Sequence, residues 1–339
     1  MNTPLDWRLL KKLYAIHSPS GKETKMIKFL ANYLKTIPGV QIAQDRYGNL
    51  YALKGEAETF PCLASHTDQV QSRYPKDFKA IETRDIIFGF SPSEHSFCGL
   101  GADDKNGIFI AIEALKKYDC LKAVFFKEEE MGCRGSSNCE MSFFNDCRFV
   151  IQCDRRGDSD FITNIGCTDL CSENFIRDVD PEKWGYKEGS GMMTDVEALK
   201  EKGLSISAVN LSCGYYNPHS DEELTCKRGL EKCWRLVQHI IEDCTETYPH
   251  EPGEYGFYDM YDDWEIEEEI HSILQQDPTM TAADIYDMYQ TNYPRLSLND
   301  FERIVEEYRM FYEDEEDEEI LKSNTYENGK KTESEDYEF

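Results

Sequence analysis

The sequence predicts an α/β domain in which a mostly parallel central sheet is flanked by helices. Short apolar runs typical of strands, at residues 61–65, 122–126, 149–153 and 207–211, alternate with stretches of helical periodicity. Each of these runs ends in polar residues, and alternating strands and helices are the pattern of a parallel sheet. A small, acidic, helical extension is predicted to follow this domain.

Three helices of the main domain are predicted from apolar residues that recur on one face. The first has its apolar face over residues 26–34, and Ser20 and Glu23 ahead of it have the spacing of a capping box. The second covers residues 107–117, and the third covers roughly residues 222–244.

The charge of the chain is concentrated at its C-terminal end. Residues 251–339 contain 28 acidic and 6 basic residues and so carry −22 of the net charge of −29. We therefore predict a main domain over 1–250 that is large enough to be an enzyme, followed by a helical acidic extension over 251–312 and a disordered acidic tail over 313–339. Within the extension, helices are predicted near 281–289 and 299–312.

Composition also restricts the expected cellular location and the expected binding partners. A strongly acidic chain repels phosphate, which disfavours a nucleic-acid partner. Neither a secretory signal nor an apolar run long enough to span a membrane is visible in the sequence. The 13 cysteines are odd in number, and several lie in apolar runs, which suits reduced thiols. These features predict a cytoplasmic protein with no membrane association.

Five short polar segments follow the predicted strands or open the helices. In an open α/β sheet they would gather at the carboxyl edge, where functional crevices lie. They offer imidazole and carboxylate groups, the ligands that suit zinc or another divalent first-row metal. The segments are SHTDQV (65–70), GADDKNG (101–107), KEEEMGCRG (127–135), QCDRRG (152–157) and YNPHSDEE (216–223).

In this order the segments resemble the motifs of the co-catalytic di-zinc exopeptidases, in particular the peptidase T-like enzymes and zinc aminopeptidases. The resemblance covers roughly residues 5–245 and includes SPSGKE (18–23) and DRYGNL (45–50). It implies two divalent metal ions, with zinc as the first expectation and cobalt or manganese as alternatives. Both separations at which relatives carry an inserted lid domain are short here, so we expect a catalytic domain without a lid.

The resemblance also implies a role for each ligand. His66 and Asp154 are expected to bind one metal, Glu130 and His219 the other, and Asp103 to bridge the two. The peptide bond after Asp103 is expected to be cis.

Two further side chains are implied to take part in catalysis. Glu129 is expected to act as the general base for the attacking water, and Asp68 to orient the imidazole of His66. This choice among three consecutive glutamates leaves Glu128 outside the site.

Substrate contacts are less well defined by the sequence. Thr194 and Asp195 resemble a segment that lines the substrate pocket in the family. Arg155 or Arg156 would suit a substrate carboxylate, and a surface ion pair is an equal alternative.

Together these features predict a metal-dependent exopeptidase that hydrolyses short peptides from one end, as an aminopeptidase or a tripeptidase-like enzyme. One alternative is an amidohydrolase that removes the acyl group from N-acyl amino acids. Another is a non-catalytic metal-binding scaffold whose acidic tail is its working part. The sequence leaves the oligomeric state open.

Overall fold

The computed structural model describes residues 5–166 and 168–251, and in the C-terminal part residues 270, 272–274, 277–289, 298, 301–302, 304–305 and 308–309. The chain divides into two compact units, Met1–Glu254 and Tyr255–Phe339. The two segments in which relatives carry an inserted lid domain both lie inside the first unit, and that unit is compact.

A nine-stranded sheet forms the centre of the first unit. Its strands follow the order β1-β2-β7-β3-β8-β12-β9-β10, and β11 pairs with β9 on a branch. The four central strands β7, β3, β8 and β12 are mutually parallel, whereas β1, β2 and β10 join through antiparallel pairs. The strands are β1 Val40–Gln44, β2 Leu50–Lys54, β3 Phe60–His66, β7 Leu121–Phe126, β8 Cys147–Arg155, β9 Asp160–Ile165, β10 Thr168–Asp169, β11 Lys187–Gly191 and β12 Ala208–Ser212.

A second, five-stranded sheet stands beside it and was not predicted from the sequence. Its strands are β4 Lys79–Glu82, β5 Ile86–Ser91, β6 Ser96–Phe97, β13 Tyr215–Tyr216 and β14 Leu224–Cys226. The helices of the first unit are α1 Trp7–Tyr14, α2 Thr24–Leu34, α3 Ala102–Lys117, α4 Arg134–Ser137, α5 Glu173–Val179, α6 Asp195–Glu201 and α7 Lys227–Asp243.

The predicted fold class is confirmed, and the four predicted apolar runs are the four central parallel strands. Every residue of β3 and β7 is buried, because helices cover both faces of the sheet. Side chains alternate between two core clusters, so that Leu63 belongs to one and Cys62 and Ala64 to the other. This packing brings the carboxyl ends of the four strands to one edge.

Two local predictions are wrong. Ser20 and Glu23 do not form a capping box: the hydroxyl of Ser20 donates to Asp68, and Glu23 accepts from the backbone of Gly21. The last long helix begins at Lys227, because residues 224–226 pair with β5 as strand β14. In both cases a partner distant in the sequence competes successfully with the local preference.

The second unit contains a helix, Ala282–Tyr289, that agrees with the one predicted near 281–289. Phe301, Ile304, Val305 and Tyr308 have helical backbone and belong with Ile285 to a small apolar core. Residues 252–269, the rest of 299–312 and the whole of 313–339 lie outside the described positions, so the extents of the extension and the tail stay predictions. Within the described part of the chain, no helix has the length and apolar character needed to cross a membrane.

Candidate metal centre

His66 ends strand β3 and lies fully buried at the carboxyl edge of the sheet. Its Nδ1 is 3.3 Å from Oδ1 of Asp68, whereas its Nε2 faces the carboxylates of Asp103 at 3.0 Å and Asp154 at 3.5 Å. A proton on Nδ1 directed at Asp68 leaves the lone pair of Nε2 free, which is the usual arrangement of a metal-binding histidine.

The carboxylate of Asp103 lies between the two histidines of the site. Its Oδ1 is 3.0 Å from Nε2 of His66, and its Oδ2 is 3.3 Å from Nε2 of His219. Asp103 stands at the start of α3, where it and Asp104 depart from helical geometry and their shared peptide bond is cis, as expected. Because its two oxygens point to different histidines, Asp103 has the geometry of a bridging ligand.

Asp104 fixes this entrance to α3. Its buried carboxylate accepts from the backbone N–H of His66 at 3.1 Å and of Gly107 at 2.9 Å. A side chain at position 107 would meet Oδ1 of Asp104 at 2.3 Å, so glycine is needed there. The end of β3 and the start of α3 are thereby held together.

The three consecutive glutamates occupy different places after β7. Glu128 accepts a 2.6 Å hydrogen bond from the hydroxyl of Tyr47 and pairs with Lys127. Oε2 of Glu130 lies 3.2 Å from Nε2 of His219, and Oε2 of Glu129 lies 3.9 Å from Nε2 of His66. Glu129 and Glu130 thus face the histidines, and Glu128 does not.

Asp68 connects these parts of the site. Its oxygens accept from the backbone N–H groups of Glu129 at 3.0 Å and Glu130 at 3.3 Å, and from the hydroxyl of Ser20 at 2.8 Å. The same carboxylate faces His66, so one buried side chain orients both the imidazole and the glutamate segment.

Asp154 is oriented by Gln152, a residue with no predicted role. Nε2 of the buried Gln152 donates to Oδ2 of Asp154 at 3.1 Å and to Oδ2 of Asp195 at 3.2 Å. Oε1 of Gln152 accepts from Thr194 and from the backbone of Val196. Residues two apart on a strand share a face, so a polar residue two positions before a strand-end ligand was a signal available in the sequence.

The described residues contain three groups of ligand atoms close enough to hold a metal ion. Two of them, His66–Asp103–Asp154 and Asp103–Glu130–His219, share Asp103. The third, His66–Glu129–Glu130, includes the predicted base. The structure therefore brings together every residue that was predicted to bind metal.

The pKa values of the site reflect a surplus of buried negative charge. Burial, reinforced by the charge of Asp103, raises the pKa of Asp154 well above its usual range, and burial likewise raises the pKa of Glu129. Burial alone would lower the pKa of His66, but the charges of Asp154 and Glu129 outweigh it and raise that pKa. Hydrogen bonds to Asp103 and Glu130 raise the pKa of His219 to about 10.

Both partners in the His66–Asp154 contact thus have raised pKa values, which a simple ion pair would not produce. The imidazolium groups of His66 and His219 cannot balance the more numerous carboxylates around them, so the cluster as a whole attracts positive charge. Protons or metal cations would both satisfy this need.

A cavity of about 430 Å³ opens onto this cluster. Asp103, Glu129, Glu130, Asp154 and His219 line it, together with Arg155, Arg156 and Thr194. Asp195 is fully buried and does not line it: its carboxylate accepts from Ser136 at 2.6 Å and from Gln152. Of the three predicted substrate residues, Arg155 and Thr194 therefore reach the cavity, and Asp195 supports its wall.

A larger cavity, of about 810 Å³, lies beside β1 and β2. No histidine and none of the predicted metal ligands line it, and the carboxylate of its Asp45 accepts hydrogen bonds from Gly48, Asn49 and Tyr51. The smaller cavity therefore holds the chemically equipped site.

No protein-family model and no curated protein sequence matches the chain significantly. Solved structures match it clearly. The aminopeptidase PepT from Bacillus cereus shares 15% sequence identity at a TM-score of 0.56, over 71% of this chain and 98% of that one. A tripeptidase from Staphylococcus aureus shares 16% at a TM-score of 0.56, over 70% and 96%.

An archaeal aminopeptidase from Desulfurococcus kamchatkensis gives the same result. It shares 15% identity at a TM-score of 0.52, over 70% of this chain and 96% of that one. The chain therefore has the fold of these aminopeptidases and tripeptidases, which is the fold that the resemblance in its sequence implied.

Proposed function

We propose that this chain is a metal-dependent exopeptidase that hydrolyses short peptides from one end, as an aminopeptidase or a tripeptidase-like enzyme. The observation that carries the proposal is a pair of ligand groups that share Asp103, with Glu129 beside them in an open cavity. The fold shared with aminopeptidases and a tripeptidase of known structure supports it.

The residues of the site fit two divalent cations. Oε1 of Glu130 is buried without a hydrogen-bond partner among the described residues, and a metal ion would satisfy it. Several buried carboxylates near one another cost free energy unless cations compensate them. With imidazole and carboxylate ligands and no cysteine, zinc is the first expectation, and cobalt or manganese suit the same donors.

His66 and Asp154 would hold one ion, Glu130 and His219 the other, and Asp103 both. Two such ions would supply Lewis-acid activation of the scissile carbonyl and a lowered pKa for the attacking water. Asp68 and Gln152 orient ligands and do not themselves contact the ions in this proposal.

Glu129 is the residue proposed to transfer the proton. The thiol of Cys133 lies 3.6 Å from Oε1 of Glu129 and donates to it, whereas Oε2 faces His66 and the ligand cluster. A carboxylate with a pKa raised by burial is suited to accept a proton from water and to return it to a leaving amine. Glu129 would perform both transfers.

The experiment compares two neighbouring variants of the metal-loaded protein. Glu129→Gln is expected to lower kcat on a panel of di- and tripeptides by roughly 10²–10⁴-fold without loss of metal. Glu128→Gln is the matched control: its carboxylate binds Tyr47 and Lys127, so activity is expected to stay near the wild-type value. Unchanged turnover in Glu129→Gln, or an equal loss in both variants, would refute the assignment of the base.

The same panel separates the alternatives. N-acetylated amino acids as preferred substrates would indicate the amidohydrolase, and a protein that binds divalent ions but hydrolyses neither peptides nor N-acetylated amino acids would indicate the metal-binding scaffold.

A further inference from the structure

Two consecutive arginines follow the ligand Asp154, and the structure gives them different roles. Nε of Arg155 donates to Oδ2 of Asp160 at 3.2 Å. Arg156 lines the same cavity, and in the described part of the chain its guanidinium has no acidic partner. The positive charge available to a ligand is therefore that of Arg156.

The backbone that carries Arg156 is firmly held. Its carbonyl oxygen accepts from the hydroxyl of Ser212 at 2.7 Å, and the carbonyl of Arg155 accepts from the backbone N–H of Cys213 at 2.9 Å. On the other side, the N–H of Gly157 donates to the carbonyl of Tyr215 at 2.8 Å. The exposed side chain of Arg156 thus begins from a fixed point at the rim of the site.

The charge pattern of the cavity indicates what this side chain would bind. The wall with the predicted metal ligands is rich in carboxylates. An anionic ligand would be repelled there unless a positive charge compensated it. A guanidinium matches a carboxylate bidentately, and such charge-assisted pairs are among the stronger hydrogen bonds in proteins. A cavity of about 430 Å³ is near the lower end of the range for small-molecule sites, so both ends of a bound peptide must lie near its walls.

We infer that Arg156 binds the terminal α-carboxylate of the substrate, so that the site selects dipeptides and tripeptides with a free C-terminus. This inference rests on the proposed function and specifies its substrate class. Arg156 is a specificity-determining residue here, while proton transfer stays with Glu129.

The test compares tri-alanine with its C-terminal amide on the metal-loaded full chain. For the wild type, kcat/KM is expected to be roughly 10- to 100-fold higher for the free acid. Arg156→Ala should remove this preference, mainly through KM for the acid, and leave the amide nearly unchanged. Arg156→Lys should restore part of the preference, because an ammonium keeps the charge and loses the bidentate geometry.

Two controls identify the residue and the source of the carboxylate. Arg155→Ala is expected to leave the acid-to-amide ratio unaltered, because that guanidinium is paired with Asp160. The amide Ala-Asp-Ala-NH₂ offers a side-chain carboxylate only. If it is cleaved as well as tri-alanine with a free C-terminus, Arg156 binds acidic side chains and the inference is refuted. Equal rates for acid and amide in the wild type, or equal losses for both in Arg156→Ala, also refute it.

A binding measurement separates this inference from the proposed function. Calorimetric titration of metal-loaded Glu129→Gln with tri-alanine and its amide needs no turnover. Tighter binding of the acid that disappears in Glu129→Gln/Arg156→Ala supports the inference even if the wild type hydrolyses no peptide, in which case only the proposed function fails. Equal affinity for the two ligands overturns the inference.

Discussion

Replacement of Asp68 by asparagine tests whether one buried carboxylate organises the whole centre. The side chain is fully buried and its two oxygens face four donors: Nδ1 of His66, the hydroxyl of Ser20, and the backbone N–H groups of Glu129 and Glu130. Asparagine keeps the shape but offers one acceptor oxygen and places an amide N–H₂ against donors. Asp68→Asn therefore removes the charge and leaves at least one buried donor unpaired.

The expected magnitude follows from these contacts. The loss of one charge-assisted hydrogen bond costs roughly 1.5–3 kcal/mol of stability. For a domain of this size that corresponds to a decrease in Tm of about 3–12 °C. Because the imidazole of His66 also loses its orienting partner, metal affinity should fall by roughly 10- to 100-fold.

Two assays separate these effects. Thermal unfolding in excess chelator reports the stability of the metal-free protein, and competition against a chromophoric chelator reports zinc affinity. Ser20→Ala is the matched control, since it removes one donor to Asp68 and keeps the carboxylate, so its loss of affinity should be much smaller. Zinc affinity of Asp68→Asn within about twofold of the wild type would refute the orienting role.

Three further predictions concern other parts of the molecule. Gln152→Leu removes the amide that donates to Asp154 and Asp195, so zinc affinity should fall roughly tenfold by the same competition assay; unaltered affinity would mean that Asp154 needs no such support. Chelation should lower the Tm because buried carboxylates lose their compensation, and zinc at about 100 times its Kd should restore roughly 2.7 kcal/mol; a Tm insensitive to metal contradicts a bound pair of ions. Burial, together with the charge of Lys200, lowers the pKa of His250 to about 4, whereas it is about 6.5 in unfolded chains. The unfolded state therefore binds more protons between these values, so stability is complete above pH 6.5 and decreases as the pH falls toward 4. His250→Gln should flatten this part of the pH–stability curve in denaturant titrations, and an unchanged slope would exclude His250 as its source.

The central sheet was predictable because its strands are buried on both faces. Such strands read as continuous apolar runs, and all four runs found in the sequence are parallel strands of the sheet. The second sheet was missed because most of its strands are short and because one of its strand pairs joins segments far apart in the sequence. β14, for example, pairs Leu224 with Phe88, a contact that no local pattern indicates.

The residues expected to bind metal were predictable from motif spacing, and so was the orienting role expected of Asp68, whereas the hydrogen bonds that hold Asp68 in place were not. Ser20 shows why: its position relative to Glu23 satisfies a local rule for helix capping, yet its hydroxyl donates to Asp68, 48 residues away. A sequence pattern shows which local hydrogen bond is available to a side chain and not which distant group binds the same side chain instead. The bond that Ser20 donates to the buried carboxylate of Asp68 is charge-assisted and therefore stronger than the neutral bond that its oxygen would accept from a backbone N–H in a capping box.

The choice between Arg155 and Arg156 has the same physical origin and bears on specificity. The two residues are identical and adjacent, so composition and spacing assign them the same properties. What distinguishes them is that Arg155 is the last residue of β8 and Asp160 the first of β9, so the turn between the strands places these two side chains side by side. Arg156 lies within that turn, where Ser212 and Tyr215 hold the backbone, and its guanidinium remains available to the cavity. The residues of a catalytic centre can thus be predicted from a sequence because its chemistry requires particular residue types. Its selectivity is harder to predict, because it depends on which charged side chains the fold has already paired with opposite charges.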